Sequence, residues 1–193
     1  MKQLRRAIET QGFGMGQDIV KVDMFLNHRI DTGLLFAMGE AWAEEFRADK
    51  PDLVLTVEAS GIALAVAAAH ALGDLPVVFA KKSATVVQGD DVVQAPVYSF
   101  THKNRNMIRI DKRYLPEGSR VLIIDDFLAE GEATRGLMTL CEKRKATVVG
   151  VGIAIEKGFQ PGGKKLREAG VHLKSLAIVD AIEDGRLVLR QED

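Results

Sequence analysis

The chain has one cysteine, Cys141, in 193 residues. That excludes an intrachain disulfide framework and fits a reducing compartment. Net charge is also scarce. Against 26 Lys and Arg stand 27 Asp and Glu, a balance of −1, so no global basic field draws the protein to nucleic acid or to an anionic membrane. Long apolar runs are missing, and none approaches the roughly 20 residues a helix needs to cross a bilayer. The opening residues, MKQLRRAIETQGFG, are charged and amphipathic. They hold no apolar stretch followed by a small-residue cleavage site, so no signal peptide is expected. Together these absences point to a cytoplasmic protein with no nucleic-acid or membrane partner. Neither an internal repeat nor a low-complexity segment is visible.

What is present is an ordinary globular composition, 47% hydrophobic and 27% charged, over a length that suits a single domain spanning 1–193. Residues 2–11 read as a short amphipathic helix closed by Gly12. Residues Ile19–Ile30 alternate weakly and read as irregular or strand-like, with Met24-Phe25-Leu26 as an exposed apolar stretch. Asp31 and Thr32 offer N-caps for a helix whose apolar face is Leu35, Met38, Trp42 and Phe46, and which ends before Pro51. Strands and helices then alternate. Strand Leu53–Val57 leads through Glu58–Gly61 into an Ala-rich helix to about Leu72, and strand Pro76–Ala80 follows. Residues 83–96, with few large apolar side chains, read as a mobile loop. Val97–Thr101 and Met107–Asp111 read as a strand pair. Strand Val121–Asp125 precedes a helix from about Glu132 to Lys145. Then come strand Thr147–Ile155, a short helix near Lys164–Ala169, and strands near Leu173–Ile178 and Arg186–Leu189. Cys141, in mid-helix, is expected as a small core residue.

Three of these strands are apolar throughout, the pattern of strands buried on both faces of a parallel sheet. With the strand–helix alternation, that predicts an α/β fold, a mainly parallel central sheet flanked by helices. The first 35 residues stand outside the alternation and are expected to form a small N-terminal hood.

Ligands of open α/β sheets bind beyond the carboxyl ends of strands. Asp125 and Asp126 fall at such an end. Successive strand side chains point to opposite faces, so at least one of the two is expected at the rim. A carboxylate there suits a ribose diol or Mg²⁺. Ala129-Glu-Gly-Glu-Ala133 then opens a helix whose free amides suit a phosphate. Glu130 and Glu132 would repel that phosphate, so their side chains are expected to point away. Lys81-Lys82 is a second candidate anion site. Spacing alone leaves two readings open: a ligand site, or a plain strand, turn and capped helix.

The block Val121-Leu-Ile-Ile-Asp-Asp126, followed by small or apolar residues and Glu130-Gly-Glu-Ala-Thr134, resembles the phosphoribosyl pyrophosphate (PRPP) motif of type I phosphoribosyltransferases. Across nearly its full length the chain is similar to the bacterial xanthine phosphoribosyltransferases of that family. The likeness runs through Val20–His28 (VKVDMFLNH), Val57–Ile62 (VEASGI), Val78–Lys82 (VFAKK), Val97–Thr101 (VYSFT) and Gly152–Pro161 (GIAIEKGFQP).

The resemblance implies a type I phosphoribosyltransferase fold that transfers the phosphoribosyl group of PRPP to N9 of xanthine. The products would be xanthosine 5′-monophosphate and pyrophosphate, with Mg²⁺ as cofactor, in a homodimer. It places the PRPP 5-phosphate on Ala129, Glu130, Gly131, Glu132 and Ala133, and the ribose hydroxyls on Asp125 and Asp126. Pyrophosphate falls to Ala59, Ser60 and Gly61, with Lys81 or Lys82 neutralising its charge. Xanthine falls to Val20, Asn27 and Lys157, with Phe159 as a stacking or core residue. Mg²⁺ would be held mainly by the substrate, with Asp125 or Asp126 as protein ligand. Three departures from the pattern stand out. Val20 replaces leucine, and Glu130 and Glu132 replace asparagine and glutamine. Ala129 stands where hypoxanthine-guanine enzymes carry aspartate, which suits a substrate acidic enough to react as its anion. The rival readings are a guanine or hypoxanthine phosphoribosyltransferase and a non-catalytic PRPP-sensing regulator. The regulator would need a DNA-binding element that the mixed-charge N-terminus does not resemble.

Overall fold

The structure, a computed structural model, describes residues 1–83, 91–99 and 104–191. Helix α1 (Lys2–Gln11) buries Leu4, Ala7 and Ile8, the stripe its periodicity predicts. Strands β1 (Phe13–Met15) and β2 (Ile19–Lys21) form an antiparallel hairpin. A single π-helical turn over Asp23–Asn27 comes next, so the segment expected to be irregular is strand then turn. The expected exposure of Met24-Phe25-Leu26 is corrected: Met24 is 52% exposed, whereas Phe25 and Leu26 are buried. Consecutive residues of a helical turn point in different directions, and this turn directs Phe25 and Leu26 into the core cluster that also holds Leu4 and Ile8.

Helix α2 (Thr32–Phe46) starts at Asp31, whose carboxylate accepts the Leu34 N–H at 3.0 Å. Beyond it run β3 (Leu53–Val57), α3 (Gly61–Ala71), β4 (Val77–Ala80), β5 (Val92–Ser99), β6 (Asn104–Asp111), β7 (Arg120–Leu128), α4 (Glu132–Lys143), β8 (Thr147–Lys157), α5 (Gly162–Glu168), β9 (Leu173–Glu183) and β10 (Arg186–Leu189). The central sheet has the order β10-β9-β8-β7-β3-β4 and is parallel except for β10. β5 and β6 pair in a separate antiparallel hairpin. The loop expected over 83–96 is therefore shorter, because β5 begins at Val92. Its inward residues Val93 and Ala95 are small yet buried against the α4 side of the sheet, and small apolar residues leave a weak strand signal. Residues 84–90 lie outside the described residues.

The apolar strands separate two cores. Along β7, Leu122 and Ile124 face α1, α2 and α3, while Val121 and Ile123 face α4, α5 and the β5–β6 hairpin. Two glycines of β8 set how closely α2 approaches. A Cβ on Gly150 would lie 2.4 Å from the Phe46 ring, and one on Gly152 would lie 2.8 Å from the Trp42 indole. Gly150 and Gly152 share a face of the strand, and Trp42 and Phe46 are one helical turn apart, so ring and socket match by period. Gly152→Val should lower the free energy of unfolding by about 1–3 kcal/mol through overpacking, as measured by urea denaturation.

Candidate active site

The sheet changes direction of growth between β3 and β7. The chain leaves β3 for β4 on one side, then returns to place β7 on the other side and continues to β8 and β9. A switch of this kind opens a crevice beyond the carboxyl ends of the two strands. Pairing of β3 with β7 stops at Leu55 and Ile123, whereas β7 stays paired with β8 as far as Leu128 and Glu156. Asp125 and Asp126 consequently lie within β7 rather than at its end, a correction to the sequence reading. They sit where the β3 side has fallen away.

The two carboxyls differ in burial, as strand alternation requires. Asp125 is 4% exposed, and Asp126 is half-buried. Each accepts the next residue's N–H, Asp125 from Asp126 and Asp126 from Phe127, both at 3.0 Å. Burial pushes the Asp125 carboxyl well above the usual carboxylate range, and the Asp126 charge adds to that. The Asp126 N–H and the Lys82 ammonium oppose it. Facing Asp125 across the crevice is Gly61, where a Cβ would lie 3.0 Å from the Asp125 Oδ1 and 2.1 Å from the Thr56 Oγ1. That buried threonine hydroxyl has no hydrogen-bond partner among the described residues.

The loop from β3 into α3 reaches the same rim, and its Glu58–Ala59 peptide is cis. Ser60 occupies the N-cap of α3, yet its side chain makes no capping hydrogen bond, so its hydroxyl is not committed to the helix. Glu58 Oε1 accepts the Lys82 N–H at 2.6 Å, tying this loop to the end of β4. The lysine pair divides. Lys82 is the member whose charge reaches Asp125. Lys81 exchanges backbone hydrogen bonds with Arg109 at 2.9 and 3.0 Å and lines a groove with Val78, Ile110 and Tyr114.

Beyond β7, Gly131 takes φ +82° at the N-cap of α4, a left-handed conformation that favours glycine. The first helical bond, Arg135 N–H to Gly131 O at 2.9 Å, leaves the amides of Glu132, Ala133 and Thr134 at the open end of the helix. The Glu132 carboxylate is paired with the Arg135 guanidinium. Lys157, the last residue of β8, donates to the Asp18 carbonyl at 2.6 Å and lies 5.9 Å from the centroid of the Phe127 ring. Its burial lowers the ammonium's pKa, and the Asp18 charge opposes the shift. Asp18 belongs to the β1–β2 turn, two residues before buried Val20, so the N-terminal segment touches Lys157. Asn27 is exposed at the end of the π-helical turn. Phe159 packs at the edge of the core.

A model of the phosphoribosyl transferase domain matches residues 29–173. The chain is 48% identical over 192 residues to a xanthine phosphoribosyltransferase of Bifidobacterium adolescentis, covering 98% of this chain and 100% of that protein. It is 45% identical over 190 residues to one from Clostridioides difficile, with the same coverage. The chain belongs to the phosphoribosyltransferase family. Among solved structures, an adenine phosphoribosyltransferase from Giardia lamblia complexed with 9-deazaadenine superposes with a TM-score of 0.74 at 19% identity. That match covers 91% of this chain and 96% of that one, a likeness that shows the type I fold.

For a phosphoribosyltransferase, the residues missed in the sequence are those that hold the loop. Arg135 pairs with Glu132 at the i,i+3 spacing, a signal present in the sequence. Gly162 donates its N–H to the Ala129 carbonyl at 3.0 Å, a tertiary contact that no local pattern announces. The buried Asp125 yields a test. A carboxyl with a raised folded-state pKa binds its proton more tightly in the folded chain. Stability therefore falls as pH rises from the ordinary value of about 3.9 toward the raised one. Asp125→Asn should be more thermostable than the parent at pH 7, with the margin shrinking as pH falls toward about 4. Thermal melts across that range measure it.

Proposed function

We propose that this chain transfers the 5-phosphoribosyl group of PRPP to N9 of xanthine, giving xanthosine 5′-monophosphate and pyrophosphate in cytoplasmic purine salvage. The observation that carries the reading is the 45–48% identity, over nearly full length, to proteins named for that reaction. It coincides with a rim that gathers Asp125, Asp126, the α4 amides and Lys157. In this reading the Glu132, Ala133 and Thr134 amides bind the 5-phosphate, and Asp125 and Asp126 hold the ribose hydroxyls. Ser60, Gly61 and Lys82 face the pyrophosphate. Lys157 donates to an oxo group of the base. Val20, Asn27 and the rest of the N-terminal hood close over it within a single domain.

The chemistry asked of the protein is alignment and charge placement. As the bond from C1 to the pyrophosphate oxygen breaks, positive charge develops on the ribose, and N9 of the xanthine anion forms the new bond to C1. Preorganised groups lower that barrier by holding the partners in line and stabilising the departing anion. Lys82 contributes charge on the pyrophosphate side. Among the described residues no group of three or more His, Cys, Asp or Glu is gathered for a metal. Two carboxylates at the rim, Asp125 and Asp126, nevertheless suit an ion that keeps most of its ligands from polyphosphate and water. Mg²⁺ on PRPP, with Asp125 or Asp126 as its protein ligand, would supply further charge neutralisation. The protein acts as a homodimer, for which Phe36, Phe79 and Tyr114 offer exposed apolar surface.

A spectrophotometric assay with PRPP and Mg²⁺, offering xanthine, guanine, hypoxanthine and adenine in turn, tests the reading. Turnover should be greatest on xanthine. Lys157→Ala should lower kcat/KM for xanthine by about 10- to 100-fold, the loss of one hydrogen bond from a charged donor. Greater turnover on guanine or hypoxanthine would reassign the base. No turnover on any base, with PRPP still bound, would favour a non-catalytic sensor.

A further inference from the structure

Backbone amides attract a phosphate only if the carbonyls of the same loop are engaged elsewhere and no nearer anion takes the amides first. Both conditions are met here by identifiable groups. The Ala129 carbonyl accepts the Gly162 N–H at 3.0 Å. The fit is close: a Cβ on Gly162 would lie 2.2 Å from that carbonyl oxygen and 2.8 Å from the Gly131 nitrogen. The Glu130 carbonyl accepts from Arg135 Nη1 at 2.9 Å. Arg135 Nη2 closes on the Glu132 carboxylate. One guanidinium thus spans the loop, fixing a carbonyl on one side of Gly131 and a carboxylate on the other.

The bond to the Glu130 carbonyl sets Arg135 apart from an ordinary helix-surface arginine. A surface pair at i,i+3 on a helix needs nothing outside the helix and contributes little. Here the same side chain also reaches back beyond the N-cap to a loop carbonyl. A Cβ on Gly131 would lie 3.2 Å from Arg135 Nη1, so the guanidinium sits over the glycine itself. Released from Arg135, the Glu132 carboxylate would lie in the first turn of α4. A carboxylate there is drawn to the helix's own free amides. It would compete with a phosphate for those donors and repel it by charge.

We propose that Arg135 is a positioning residue for PRPP, one that makes a loop carrying Glu130 and Glu132 competent to bind the 5-phosphate. It acts through Glu132 and the Glu130 carbonyl and does not touch the substrate. The proposal rests on the reading that Ala129–Ala133 is the phosphate loop.

The test is calorimetric binding of PRPP with Mg²⁺, together with steady-state kinetics, on Arg135→Ala, Glu132→Gln, the double variant and Gly131→Ala. Arg135→Ala should weaken PRPP binding by about tenfold, the size of a lost charge-assisted interaction. It should raise KM for PRPP while leaving kcat and KM for xanthine unchanged. Glu132→Gln alone should bind PRPP more tightly than the parent. Adding Glu132→Gln to Arg135→Ala should restore most of the lost affinity, a recovery that a merely structural arginine would not give. Unchanged affinity in Arg135→Ala, or no recovery in the double variant, would overturn the role of Arg135. Gly131→Ala separates the two levels. If it weakens PRPP binding while Arg135→Ala does not, only the arginine's role falls. If neither does, the phosphate reading falls with it.

Discussion

Strands β3 and β7 run side by side for three residue pairs and then part after Leu55 and Ile123, and the proposed site is built around that parting. Parallel pairing fixes which ends meet there. Every parallel strand delivers its carboxyl end to the same edge, so the loops after β3, β4, β7 and β8 must converge on it. Glu58–Gly61, Lys82, Asp125–Gly131 and Lys157 therefore become neighbours although they are far apart along the chain. The gap also explains why a carboxyl can stand inside a strand. β7 keeps its hydrogen bonds to β8 while its other edge is no longer paired with β3.

Holding charged and polar groups at this edge works against the fold. Asp125 is almost fully buried and accepts the Asp126 backbone N–H, and the Thr56 hydroxyl beside it has no partner among the described residues. A buried polar group left without a partner lowers stability. Compensation comes from the layer behind. Glu156, buried one residue before Lys157, accepts two hydrogen bonds from Arg167 at 2.7 Å and a third from Ser175. Burial alone would raise its pKa, but these partners outweigh that and lower it. The bidentate pair ties α5 to β8 and so holds Gly162 against the Ala129 carbonyl. A satisfied ion pair behind the rim thus positions the partly unsatisfied groups on it.

Much of this was legible in the sequence because it is written in short periods. Continuous apolar runs marked β3, β7 and β8 as strands covered on both faces. The Leu35, Met38, Trp42 and Phe46 spacing marked the buried stripe of α2. Alternation required at least one aspartate of the pair to stand at the rim, but it could not say which, since that depends on where β3 ends. Phe25 and Leu26 misled because a lone π-helical turn has no repeat to read. Val93 and Ala95 misled because small residues bury little area and look like loop. The Gly162 contact with Ala129 joins two loops distant in sequence and leaves no local mark. Val20 and Asn27 entered through family resemblance alone. The structure buries the first near the Asp18 turn and leaves the second exposed.

The most direct test of the account is a structure of the protein bound to xanthosine 5′-monophosphate. The account predicts the phosphate at the amides of Glu132–Thr134, the ribose hydroxyls on Asp125 and Asp126, and the base within hydrogen-bond reach of Lys157, all in the crevice between β3 and β7. A nucleotide bound elsewhere, or bound there with its phosphate away from the α4 N-terminus, would contradict it.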